Sequence, residues 1–130
     1  VRMNRRALLS FAAATPLALE AAGADTKPQK VAGGWRIGNL YYSSGLTGVR
    51  PEARKDPLAF GGDIKEQTRN ILNQHKKNLE SLGSSLEHVI KVTVFLADVK
   101  TEKNAMNEAY AEFFKTNPPA RSAFGVEFPD

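Results

Sequence analysis

A chain of 130 residues, 42% hydrophobic and 25% charged, has apolar material for one core and not for two, so a single globular domain is expected. It contains no cysteine and two histidines, which excludes a disulfide framework, a thiolate metal site and a cysteine nucleophile, and gives no basis for a histidine-rich metal centre. The formal charge of +4 is not a nucleic-acid footprint: Arg2, Arg5 and Arg6 against Glu20 place half of it in the first 24 residues, and elsewhere bases and acids are interleaved.

Met3 reads as a start, followed by Asn4-Arg5-Arg6, an apolar run from Ala7 to Leu19, and the small residues Ala22-Gly23-Ala24. This is the tripartite plan of an export signal: a charged leader, a run too short for a permanent membrane helix, and side chains that suit signal peptidase. Pro16 and the lack of a polar face argue against an amphipathic helix of the domain. Residues 1–24 are therefore expected to be a signal peptide cleaved after Ala24, the paired arginines resembling a twin-arginine signal. The mature protein would then be periplasmic, without stable membrane association.

Residues 25–33 read as a linker. Trp35–Ile37 and Leu40–Ser44 then form two short strands joined by Gly38-Asn39, a pair suited to a tight hairpin turn. Residues 46–62, with two prolines, several glycines and no apolar period, read as a surface loop. Asp63 opens a helix with Ile64, Thr68, Ile71, Leu72, His75, Leu79 and Leu82 on one stripe, Glu66 in capping-box relation and Gly83 at the end. His75 on that stripe reads as a partly buried, hydrogen-bonded core residue.

Val89–Leu96 predicts a central strand. A second helix is predicted from about Glu102, with Thr101 as its N-cap, Ala105, Met106, Ala109, Tyr110, Phe113 and Phe114 on one face, and Pro118-Pro119 beyond it. A last strand begins at Ala120. The order β-β-α-β-α-β predicts an α+β domain with both helices on one face of a mixed sheet.

Taken together, Ile37-Gly38-Asn39 leading to Ser44-Gly45, Gln67-Thr68 with Asn70 and Leu72, Lys91-Val92-Thr93-Val94-Phe95-Leu96-Ala97-Asp98, Asn107 with Tyr110 and Phe113-Phe114, and Pro119-Ala120-Arg121-Ser122 resemble the YjgF/RidA family over nearly all of residues 34–128. The resemblance implies a chorismate-mutase-like α+β fold, a homotrimer with sheets facing inward, and ligand clefts between subunits. It also implies hydrolysis of enamines and imines, 2-iminobutanoate and 2-iminopropanoate among them, to 2-oxo acids and ammonia, with no cofactor. Arg121 matches the family's substrate-carboxylate arginine, and a guanidinium suits that task because it grips a planar carboxylate with two charge-assisted hydrogen bonds. Ser44, Gly45 and Ala123 match cleft-lining positions, the latter two through their backbones, and Asn107 is a supporting candidate.

There are three departures from the family pattern. Val31 stands near the place of an aromatic residue that covers the ligand, Ala123 where a cysteine is common, and the sequence stops at Asp130, before a final strand whose glutamate orients the attacking water. Such a chain would leave a sheet edge open and apolar surface uncovered. The alternative function is a non-catalytic trimeric binder of small carboxylates.

Overall fold

The computed structural model describes residues 7–14, 26–49 and 62–128, the first of these segments at the level of its backbone. The α+β architecture is as expected: one mixed seven-stranded sheet with two helices against one face. Tyr41, Val92, Val94 and Leu96 are buried on the helix side of the sheet, where they meet Ile71, Leu72 and Leu79 of the first helix and Met106 and Tyr110 of the second.

The predicted hairpin is present as β3 (Gly34–Ile37) and β4 (Leu40–Ser43), with Ile37 opposite Leu40. Gly38 takes φ 56°, the left-handed region that a two-residue hairpin turn requires, and its carbonyl accepts a hydrogen bond from Arg36 Nε at 2.8 Å. Ahead of it lies a strand where a linker was expected, β2 (Gln29–Val31), paired antiparallel with β3. Three exposed or half-exposed residues carry too little hydrophobic pattern to be read as a strand. The Tyr41 hydroxyl pins the β2–β3 turn by donating to the Ala32 carbonyl.

The expected loop over 46–62 also contains β5 (Leu46–Thr47), and residues 50–61 lie outside those described. Helix α1 (Ile64–Ser81) begins and ends where its punctuation predicts. Asp63 Oδ1 accepts from the Glu66 backbone N–H at 2.9 Å. At the other end Gly83, at φ 75°, lets its own N–H reach the Glu80 carbonyl and that of Ser84 reach the Leu79 carbonyl, the paired bonds that satisfy a helix C-terminus. His75 is on the core face as read from the stripe, but fully rather than partly buried.

Strand β6 (Val89–Leu96) alternates as predicted and runs parallel to β7 (Ala120–Gly125). Between them α2 (Val99–Ala111) starts earlier than expected, and its N-cap is Asp98 rather than Thr101. Asp98 Oδ1 accepts from the N–H groups of Lys100 and Thr101, while Glu102 Oε2 accepts from the Asp98 N–H. A carboxylate accepts more strongly than a hydroxyl near the positive end of a helix, which explains the earlier start. The helix ends before Phe113, so Phe113 and Phe114 follow it, with Phe114 still buried in the core. Bidentate Arg69–Glu112 and the Lys65–Glu108 pair tie α1 to α2.

The largest difference lies at the N-terminus. Ala7–Ala14, expected within a cleaved signal, form β1, and the strand order is β2-β3-β4-β1-β6-β7, with β5 also paired to β1. In register, Leu9 stands opposite Val94 and Phe11 opposite Val92, while Ala12–Ala14 stand opposite Tyr42–Leu40. The segment is therefore what makes the two halves of the sheet continuous. The predicted cleavage region at Ala22–Ala24 lies outside the described residues.

Candidate active site

Arg121 is the second residue of β7 and stands opposite Val92 of β6. Because paired residues of neighbouring strands share a sheet face, and Val92 is fully buried, Arg121 is directed to the helix side. There it is half-buried beneath α2. Its guanidinium carbon lies 4.6 Å from the centre of the Tyr110 ring, and Nη1 lies 4.0 Å from the Met106 sulfur. Met106 and Tyr110 are four residues apart on α2 and so share one face of it. Among the described residues no carboxylate pairs with Arg121.

Asn107 sits on the same turns of α2, half-buried, and its Oδ1 has no hydrogen-bond partner among the described residues. Ala123 follows Arg121 on the same face of β7, opposite Val94 and packed against the core. Arg121 and Ala123 thus share the helix-side face of β7, and Asn107 lies on α2 next in the chain to Met106, which Arg121 touches. Ser44 and Gly45 are not. They follow β4, three strands from β7, a separation of about 14 Å across the sheet. Both are exposed, and the Ser44 N–H donates to the Gly33 carbonyl. One copy of the chain does not bring these two groups together.

Tyr110 was legible as a core aromatic, and it is 6% exposed, but its contact with Arg121 is not readable from helical spacing alone. Burial pushes its phenol up to about 12, against the opposing pull of the Arg121 charge. It therefore stays neutral below the alkaline range. On the other face of β7, Lys91 Nζ donates to Ser122 Oγ at 2.7 Å and ties this edge strand to β6. Two surface depressions lie away from Arg121. One, between the N-termini of the helices, has Asp63, Asp98 and Glu102 in its lining together with Lys65; the other runs along the outer side of α1.

The α+β fold thus sets a half-buried arginine beneath α2 with no acidic partner among the described residues. The endoribonuclease L-PSP family model matches residues 29–128. The chain belongs to this family, the YjgF/RidA family. It is 40% identical over 91 residues to a RutC family protein of Pyrococcus abyssi, a match covering 70% of this chain and 68% of the relative. It is 36% identical over 90 residues to human 2-iminobutanoate/2-iminopropanoate deaminase, covering 69% of this chain and 63% of that protein. The crystal structure of the YjgF gene product from E. coli superposes with a TM-score of 0.62 at 28% identity, over 80% of each chain.

Proposed function

We propose that this protein hydrolyses 2-imino acids, such as 2-iminobutanoate and 2-iminopropanoate, to 2-oxo acids and ammonia. The observation that carries the proposal is the half-buried Arg121 guanidinium with no acidic partner among the described residues. A cation withdrawn from water in this way is incompletely compensated by a ring face and a thioether, and a bound carboxylate would complete it. The name of the human relative supplies the reaction class.

In this reading Arg121 grips the carboxylate by two parallel N–H···O bonds and fixes the plane of the conjugated C=N group. Asn107 Oδ1, an unused acceptor, is suited to the imine N–H. Water adds to the C=N carbon, the C–N bond then breaks, and ammonia leaves as the carbonyl of the oxo acid forms. The backbones of Gly45 and Ala123 and the Ser44 hydroxyl would line the cleft. Because β4 and β7 lie three strands apart in one chain, the reading takes Ser44 and Gly45 from a neighbouring copy and so includes a homotrimer with its sites between subunits.

The test is the decay of freshly generated 2-iminobutanoate with the full chain. Wild-type protein should accelerate it and Arg121→Ala should not. Arg121→Lys should retain only a small part, because an ammonium cannot reproduce the bidentate grip. Arg121-dependent binding of 2-oxobutanoate without turnover would instead select a carboxylate-binding module. Absence of both would end the reading.

A further inference from the structure

We propose that Tyr110 is the positioning residue of the anion site: its ring carries the Arg121 guanidinium by the face and leaves the in-plane N–H edge open for a bidentate carboxylate. The inference rests on Arg121 being the anion-binding group of the reading above. A planar cation can be held in two ways, and they have opposite consequences for a ligand. A protein carboxylate would occupy the same edge that a ligand carboxylate needs. An aromatic ring attracts the cation through its π face and takes up none of the N–H donors.

The structure uses the second way. The guanidinium carbon stands 4.6 Å from the ring centre, and among the described residues the hydrogen-bond contact of the guanidinium is that of Nη1 with the Met106 sulfur, at the length of a weak contact. Nε and Nη2 therefore form the edge available to an anion. The ring is itself fixed: Tyr110 is buried, and Phe114 packs against it with centroids 4.7 Å apart. Its hydroxyl has no hydrogen-bond partner among the described residues, so Tyr110 is held by packing of its ring. The ring is the functional part, and the hydroxyl is dispensable. The raised phenol pKa agrees with this, because a phenolate would neutralise the very charge the site needs.

Three variants of the full chain, Tyr110→Phe, Tyr110→Leu and Arg121→Ala, test the proposal with two probes, 2-oxobutanoate binding and 2-iminobutanoate decay. Tyr110→Phe should stay within about two-fold of wild type in both. Tyr110→Leu should weaken oxo-acid binding and raise KM by roughly ten-fold, with a smaller change in kcat. Wild-type affinity and KM in Tyr110→Leu, with both lost in Arg121→Ala, would overturn the role of Tyr110 and leave the deaminase reading intact. Tyr110-dependent binding without imine turnover would do the reverse. If Tyr110→Leu fails to fold, the wild-type protein still decides the matter: the Arg121 Nε–H resonance, assigned by its loss in Arg121→Lys, should carry an upfield ring-current displacement. A resonance at the position of a solvent-exposed arginine would overturn the proposal.

Discussion

Arg121 shows how little a residue's chemistry says before its neighbours are known. An isolated arginine is most often a solvated surface cation. Here the pairing of β7 with β6 turns it beneath α2, where a ring and a thioether replace water on part of its surface. The same burial makes Tyr110 a pH-dependent element of stability. Its phenol ionises near 10 when the chain is unfolded and near 12 when folded, so the unfolded state loses its proton first. The stabilisation is complete below pH 10 and is lost as pH rises through about 12, at up to about 1.4 kcal/mol per pH unit. Urea midpoints measured from pH 9 to 12 should fall less steeply for Tyr110→Phe than for wild type, and identical slopes would show that burial does not hold this proton. In the core, Leu72→Ala should cost about 2–5 kcal/mol in urea unfolding, since Leu72 is fully enclosed between α1 and the sheet.

Among the elements, the helices are specified locally and β1 is not. Asp63, Gly83 and Asp98 mark helix ends by satisfying backbone groups within a turn of themselves. Asp98→Ala should therefore destabilise by about 1 kcal/mol, whereas Thr101→Ala, an exposed first-turn position, should change thermal stability little. Strand β1 takes its place only because β4 and β6 both offer it hydrogen bonds. An export signal removed after Ala24 and a central strand at Ala7–Ala14 make opposite demands on the same residues. The sheet predicts that residues 25–130 alone unfold at lower denaturant than the full chain or pair with one another through the exposed strand edges. The intact mass of the protein recovered from cells tests export directly, retention of residues 1–24 matching the sheet and loss at Ala24 matching the signal.

At the scale of the whole molecule, the sheet has a face turned away from the helices that carries Trp35, Tyr42 and Phe124, each about half exposed. Trp35 stands opposite Tyr42, and Phe124 stacks on Phe95 with centroids 6.2 Å apart. Large aromatics grouped on one open face suit burial against further copies of the chain. The trimer reading makes a prediction that a single-copy site would not. Tyr42→Asp, placed on that face and away from Arg121, should yield monomers by light scattering and lose imine hydrolysis with the assembly. A fully active monomer would remove the intersubunit cleft.

The α+β class, the β3–β4 hairpin, both helices and the central β6 were determined by the sequence itself. Each depends on interactions within a few residues: alternation in Val89–Leu96, a helical stripe from Ile64 to Leu82, a positive φ at Gly38. Arg121, Asn107 and Ala123 were legible as candidates through the family resemblance. Only the tertiary structure decided the rest. Strands β2 and β5 are too short to carry a pattern of their own, and β1 is an apolar run whose composition fits a signal as well as a strand until β4 and β6 present their edges to it. That Tyr110 meets Arg121, and that Ser44 stands three strands away from it, follow from strand order and from the crossing of α2 over β7. These are pairings between residues distant in the chain, and local spacing carries no information about them.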